Sequence, residues 1–127
     1  HYEHQVKKRF FSDQYSHIGK YTRLIEEIHQ IVPKQSNVLV NDQTMPYMVG
    51  YKNVTYYPYH YKNADFLVTN YMMDSKNRKI PNLMTYWGPE HNLATSECIA
   101  KRLEDEENFD FDNPIKVEPW FIIIGKK

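Results

Sequence analysis

The pattern of apolar positions predicts one amphipathic helix near the start of the chain. Apolar side chains recur there at spacings of three, four and seven residues, which is one face of a helix with about 3.6 residues per turn. Pro33 ends this pattern, because its ring clashes with a continuing helix. We therefore predict a helix over 18–32, with an apolar stripe made of Ile18, Tyr21, Leu24, Ile25, Ile28, Ile31 and Val32.

Shorter apolar runs further along the chain predict strands, because they group β-branched and aromatic residues between turn-forming residues. The last of these runs contains Pro119, and we expect a bend there because proline cannot donate to a central ladder. A second amphipathic helix is predicted near the end, with Cys98 as a small buried residue. The predicted strands are 38–40, 54–57, 64–71, 83–87 and 115–124; the predicted helices are 45–51 and 93–106, and 74–82 is predicted as a charged exposed loop.

The order of these elements predicts an α/β fold. Helices and buried strands alternate, which favours a small two- or three-layer sandwich around a mostly parallel sheet of four to five strands. A chain of 127 residues and 15.3 kDa suits one domain with one modest core. We predict a flexible or juxtamembrane lead over 1–15 and a single α/β domain over 16–127.

Composition and charge exclude several classes of protein. The chain has 16 basic and 16 acidic residues, so its formal net charge is zero; nucleic-acid-binding proteins usually carry a basic excess, and we expect no nucleic acid partner. The single cysteine excludes an internal disulfide and a multi-cysteine metal site. No apolar run in the sequence approaches the roughly 20 residues of a membrane-spanning helix.

The motifs that mark cofactor and metal sites are missing from the sequence. Its four glycines form no glycine-rich phosphate-binding loop, and no histidine pair has the helical spacing of a zinc motif. The acidic stretch at 105–112 lacks the glycine of a calcium loop, so we interpret it as a solvated acidic loop. We therefore expect no cofactor, no metal and no catalytic residue.

A polar cluster follows the first predicted strand. In an open α/β sheet, ligands bind where strands end and helices begin. The same residue types also cap helices, so capping alone is the competing explanation. We take the cluster as a candidate ligand-binding site formed by Asn41, Asp42, Gln43 and Thr44.

Aromatic residues supply a second candidate. The chain contains eleven tyrosines, whose rings combine an apolar face with a polar hydroxyl. A face that includes Tyr57, Tyr59 and Trp87, together with Tyr56 and Tyr61, would suit a sugar. The alternative is that strand alternation buries half of these rings and leaves the others at the edge of the sheet.

Three short motifs resemble those of multi-spanning membrane glycosyltransferase-like proteins, including the dolichyl-phosphate-mannose protein mannosyltransferase-like families and a related group of bacterial membrane proteins. They are IVPKQSNV at 31–38, YYP at 56–58 and ADFLV at 64–68, and the closing run at 117–127 is similar to the end of those proteins. The resemblance implies an extracytoplasmic C-terminal domain, attached to the membrane through a portion N-terminal to residue 1. It also implies that the catalytic carboxylates lie in that membrane portion.

The leading hypothesis is therefore a non-catalytic soluble domain of a membrane glycosyltransferase-like protein, which positions substrate or partners. The partner implied is carbohydrate or lipid-linked sugar. One alternative is a carbohydrate-binding module that uses the tyrosine and tryptophan face. The other is an enzyme fragment that binds a nucleotide or methyl donor near the 41–44 cluster.

Overall fold

A computed structural model describes residues 21–83 and 93–127. The first helix, α1, is described over 21–31 and ends just before Pro33, as predicted. The second helix also lies where the sequence predicts it. The remaining elements are β1 (Asn37–Val40), β2 (Asn53–Tyr56), β3 (Phe66–Thr69), β4 (Tyr71–Met73), β5 (Lys79–Pro81), α2 (Leu93–Glu107), β6 (Lys116–Val117) and β7 (Ile122–Gly125), with short 3-10 turns at Met45–Tyr47 and Tyr61–Asn63.

The larger sheet has five strands in the order β2-β1-β3-β7-β6. Strand β1 pairs in parallel with β2 and with β3, so that Val38 lies opposite both Val54 and Phe66. Strand β7 pairs antiparallel with β3 and with β6. The fold is mixed α/β, as predicted, but the prediction of a mostly parallel sheet is wrong. The order of elements along the sequence does not reveal that β7 enters the sheet in the opposite direction.

The closing segment forms two strands instead of the single bent strand predicted for it. Strands β6 and β7 are antiparallel neighbours, and Glu118 N donates to Phe121 O at 2.9 Å across the turn between them. Pro119 lies in this turn, where its missing N–H costs no ladder bond. The proline therefore marks a reversal of the chain.

A second, two-stranded sheet is an antiparallel hairpin of β4 and β5. Its tight turn is closed by Asp74 N, which donates to Arg78 O at 2.8 Å. The prediction of an exposed loop over 74–82 is wrong, because Ile80 is fully buried and Pro81 is buried as well. The predicted third strand also divides at Asn70, which separates β3 from β4.

Alternating residues of the central strands pack against different layers. In β1, Val38 and Val40 contact the cluster that contains α1, whereas Leu39 contacts the cluster that contains α2 and the β4–β5 hairpin. The two helices thus cover opposite faces of the five-stranded sheet. The first cluster includes Leu24, Ile28, Val32, Val68 and Ile123; the second includes Leu67, Ile80, Leu103, Phe109, Phe111, Ile122 and Ile124.

Several predictions lie partly or wholly outside the described residues. The predicted lead over 1–15 lies outside them. The predicted strand over 83–87 also lies outside them except for Leu83, which is buried. The predicted helix over 45–51 is only the 3-10 turn at Met45–Tyr47. Within residues 21–83 and 93–127, neither helix has the length and apolar character needed to cross a bilayer.

Candidate functional site

The 41–44 turn follows β1 at the carboxyl edge of the three parallel strands. Its two end residues, Asn41 and Thr44, are each only 1% exposed. The hydroxyl of Thr44 donates to Val68 O of β3 at 2.6 Å, and Thr44 N donates to Asn41 Oδ1 at 3.2 Å. Asn41 N in turn donates to Thr44 Oγ1 at 3.2 Å. Although Thr44 precedes the Met45–Tyr47 turn, its side chain makes no cap bond to that turn. Its hydroxyl fixes the loop to β3.

Asn41 also joins the turn to the base of the β4–β5 hairpin. Its Nδ2 donates to Asn82 O at 2.9 Å and to the side-chain oxygen of Asn70. The Asn70 amide donates to the side-chain oxygen of Gln43, and Asn82 N donates to Asn70 O at 3.0 Å. Asn41 and Thr44 are thus buried structural residues that hold three loops in one geometry.

The two middle residues of the turn, Asp42 and Gln43, are exposed. Asp42 faces Tyr56, the last residue of the neighbouring strand β2. Burial raises the pKa of the Tyr56 hydroxyl, and the charge and hydrogen bond of Asp42 raise it further. Gln43 faces the other way, toward Asn70 after β3. The turn therefore presents a carboxylate and an amide to solvent, each beside a polar group of the adjacent strand end.

The predicted tyrosine face is divided in the structure. The Tyr57 hydroxyl accepts a hydrogen bond from Arg102 of α2 at 3.0 Å, and its ring lies 5.3 Å from that of Tyr61. These two half-buried rings pack against the core on the α2 side. Tyr59 is 69% exposed, and Trp87 lies outside the described residues. Of the predicted residues Tyr57 and Tyr59, Tyr57 is engaged in packing and in the bond to Arg102, whereas the ring of Tyr59 is open to solvent.

A different aromatic group, which the sequence analysis missed, lies at the same carboxyl edge. Tyr47 is buried, stacks on Tyr21 with ring centres 4.7 Å apart, and meets the edge of Trp120 at 5.3 Å. Burial, and then the hydrogen bond and charge of Tyr21, raise the pKa of Tyr47 well above its ordinary value. Trp120 remains 37% exposed. The sequence signal that could have pointed to Trp120 is its position next to Pro119, because this proline marks the β6–β7 turn.

Strand order brings these residues into a row. Tyr56 ends β2, Asp42 and Gln43 follow β1, Asn70 follows β3, and Trp120 precedes β7. The Tyr71 hydroxyl donates to Glu118 O at 3.0 Å, which fixes the turn that carries Trp120 beside the end of β3. With neighbouring strands roughly 4.8 Å apart, the row spans roughly 14 Å. We call Tyr56, Asp42, Gln43, Asn70 and Trp120 the carboxyl-edge row.

An ionic cluster lies between the tip of the hairpin and α2, where the sequence suggested a solvated acidic loop. Arg78 contacts Asp74 at 3.1 Å, Glu104 at 3.0 Å and Asp112 at 3.1 Å. The aromatic residues of the same acidic stretch, Phe109 and Phe111, are buried. The stretch is therefore partly anchored in the core and paired with Arg78.

Other candidate groups have simpler surroundings. Cys98 is exposed, which corrects the interpretation of it as a buried residue of the helix stripe; Ser96, Ala100 and Leu103 face the core instead. Within 21–83 and 93–127, no three histidine, cysteine or acidic side chains gather into a possible metal site.

Comparisons with protein-family models, with curated proteins and with solved structures find no match to this chain.

Proposed function

We propose that this chain is a non-catalytic domain that holds carbohydrate for a membrane glycosyltransferase-like protein. The observation that carries the proposal is the carboxyl-edge row, in which exposed aromatic rings stand at both ends and exposed polar groups lie between them. A sugar ring presents an apolar C–H face and a rim of hydroxyl groups. It therefore pairs with an aromatic ring on its face and with carboxylate or amide groups at its rim.

The aromatic ends of the row are fixed in place. Trp120 is held by edge contacts to Tyr47 at 5.3 Å and to Phe121 at 6.1 Å between ring centres. Tyr56, at the other end, belongs to β2 and lies beside Asp42. Because both rings are already positioned, a ligand would pay little entropy to order them.

The polar middle of the row is equally rigid. Asp42 and Gln43 sit between two buried residues, Asn41 and Thr44, which are bonded to β3 and to the base of the hairpin. The backbone of the turn cannot move without breaking these buried bonds. Rigid planar groups of this type favour recognition of hydroxyl geometry.

The placement of the resembling motifs supports the link to a glycosyltransferase-like protein. The 31–38 motif leads into β1, the 56–58 motif begins at the end of β2, and the 64–68 motif leads into β3. The motifs thus surround the three parallel strands whose ends carry the row. Attachment to a membrane, on its extracytoplasmic face, is part of this proposal. Reading the gene upstream of residue 1 tests it, since several apolar segments of about 20 residues are expected.

Binding is tested by NMR titration of the ¹⁵N-labelled chain with neutral mono- and oligosaccharides up to about 10 mM, the range of weak binding. We expect shifts confined to the amides of the carboxyl-edge row. The variants Trp120→Ala and Gln43→Ala should lose the response. The control variant Val49→Ala should keep it, because Val49 is 63% exposed and lies close in sequence but outside the row.

Three outcomes would overturn the proposal. One is the absence of any residue-specific shift with every sugar. Another is a response to nucleotides or S-adenosylmethionine at the row in place of sugars, which would favour the enzyme-fragment alternative. The third is a Val49→Ala variant that loses binding as fully as Trp120→Ala, which would show that the shifts do not report the row.

A further inference from the structure

A second site lies at the opposite end of β1 and β2. An open pocket of about 530 Å³ is found there, a volume typical of small-molecule sites. Asn37 and Asn53, the first residues of β1 and β2, line it together with Val54 and Thr55, and His60 and Asn63 of the following loop form its outer wall. Lys52 lines it as well. We call it the amino-end pocket.

The loop that forms the outer wall is held in a fixed shape. Tyr59 N donates to Tyr56 O at 2.8 Å, and Asn63 N donates to His60 O at 3.1 Å. Tyr57 and Tyr61 anchor the loop to the core on the α2 side. His60 and Asn63 of this loop line the pocket. Because the loop is held by these bonds and contacts, the pocket is formed before any ligand arrives.

Most of the residues around the pocket are polar, and Val54 adds an apolar patch. Three amides, one hydroxyl and one imidazole line it beside a lysine, so the pocket offers donors and acceptors together with a small apolar surface. In addition, β2 is an edge strand of the five-stranded sheet, so its unpaired edge can offer backbone N–H and C=O groups to a ligand. This chemistry suits a ligand with several hydroxyl groups.

The charge at the pocket favours an anion. Lys52 makes no ion pair with any residue in 21–83 or 93–127. Asp65 is the carboxylate bonded near this end of the sheet, but it accepts a hydrogen bond from Asn37 N at 3.0 Å and does not line the pocket. The lining groups thus combine one unpaired cation with uncharged donors.

We propose that the amino-end pocket binds an anionic monosaccharide, with Lys52 on the acidic group and the three asparagines and Thr55 on the hydroxyls. The site is separate from the carboxyl-edge row, and the inference does not rest on the proposed function.

The test is calorimetric titration of the full chain with four probes: glucose 6-phosphate, glucuronate, glucose and inorganic phosphate. We expect both anionic sugars to show Lys52-dependent binding with dissociation constants of about 1 mM or below, and glucose and phosphate to bind this pocket at least about tenfold more weakly. Lys52→Gln should weaken the anionic sugars about tenfold, as loss of a charge-assisted hydrogen bond predicts. Asn63→Asp should also abolish binding, because it adds a negative charge to the wall.

The matched control is Lys62→Gln. Lys62 is an exposed lysine in the loop between His60 and Asn63, but it does not line the pocket. Equal weakening by Lys62→Gln and Lys52→Gln would overturn the proposal, because it would show attraction by general surface charge. Failure of both anionic sugars to bind would overturn it too, as would Lys52-dependent binding of glucose or phosphate that is as tight as that of glucose 6-phosphate. Glucose binding that Lys52→Gln leaves unchanged is assigned to the carboxyl-edge row. The thermal unfolding of each variant, measured in parallel, should match that of the parent chain.

The two binding proposals fail separately. If the anionic sugars show no Lys52-dependent binding, but neutral sugars still give shifts that depend on Trp120 and Gln43, only the proposal for the amino-end pocket fails. The reverse result would remove only the carboxyl-edge row.

Discussion

The β4–β5 hairpin is fastened to the rest of the molecule at two places by different chemistry. At its base, the uncharged side chains of Asn41 and Asn70 join it to the 41–44 turn, with Asn41 Nδ2 donating to Asn82 O at 2.9 Å. At its tip, Arg78 joins it to Glu104 of α2 and to Asp112 through charged groups. At the base, Asn41 is buried, and Asn70 and Asn82 are half-buried. At the tip, the Arg78 side chain is 28% exposed, that of Asp112 is 59% exposed and that of Asp74 is 6% exposed.

This difference indicates how each end contributes to stability. A buried neutral group that loses its partner cannot turn to water, so the free energy cost of removing one partner is large. Charged groups near the surface are screened and rehydrated, so each of their pairs contributes little at neutral pH. We therefore expect the base of the hairpin to carry more stability and the tip to carry more of the dependence on pH and salt.

The largest effect is expected for Asn41→Ala. This substitution removes the donor to Asn82 O, in half-buried surroundings, and the acceptor of Thr44 N, in buried surroundings. We expect the free energy of unfolding to fall by about 2–4 kcal/mol, measured by urea denaturation. The control is Gln43→Ala in the same turn, whose exposed side chain should cost no more than about 0.5 kcal/mol. Equal losses in the two variants would contradict the comparison.

A somewhat smaller effect is expected for Thr44→Val. Valine keeps the shape of the side chain but removes the hydroxyl that donates to Val68 O at 2.6 Å, which should cost about 1–3 kcal/mol in chemical denaturation. Thr44→Ser keeps the hydroxyl and should retain most of the stability. A serine variant as unstable as the valine variant would show that packing, and not the hydrogen bond, holds the turn.

At the tip, Arg78→Gln should lower the free energy of unfolding by about 1–2 kcal/mol. The loss arises chiefly from Asp74, whose side chain is only 6% exposed and would lose its guanidinium partner. Because the lost contacts are ionic, the difference between wild type and variant should shrink in about 1 M salt. The matched control is Arg23→Gln, since Arg23 is 65% exposed and 4.0 Å from Glu27; a salt-independent Arg78 effect would contradict the ionic role.

The smallest effect is a change in pH dependence at Asp74. Burial alone would raise the pKa of this carboxyl, but hydrogen bonds from Arg78 and from Lys76 N, with the charge of Arg78, lower it below its ordinary value of 3.8. A lowered folded pKa stabilises the protein above the unfolded pKa, and the contribution is lost as the pH falls through the folded value. Asp74→Asn should therefore flatten the loss of stability below about pH 4. The measurement is urea denaturation of both proteins at several pH values. Asn41→Ala should leave that slope unchanged, and a steeper slope for Asp74→Asn would refute the assignment.

Local pattern was sufficient to predict part of the fold and to place one part of the site. The end of α1 before Pro33, the strand at Val38–Val40 and the second helix follow from residue types within a few positions. The polar 41–44 cluster was predicted to follow a strand, and it follows β1; ligand binding there stays a prediction. The hairpin was missed because β4 and β5 have three residues each, too few for a clear alternation, and because Pro81 argues against a strand.

Trp120 shows why the rest of the row could not be predicted. In the sequence it begins an apolar run with Phe121 and Ile122, which is typical of a buried strand. In the structure the preceding residues reverse direction, and Tyr71 binds the turn through Glu118 O, 47 residues away along the chain. No local signal in the sequence records that contact.

The sequence by itself determined where α1 ends and where β1 and α2 form, because hydrophobic periods and proline stops act over a few neighbouring residues. Only the tertiary structure decided that β7 runs antiparallel to β3, pairing Leu67 with Ile124, and that Asn41, Asn70 and Asn82 meet at one point. These contacts join segments far apart along the chain. Many pairings satisfy the same local pattern, and the choice among them is made by burial of the two apolar clusters and by pairing of the polar groups enclosed between them.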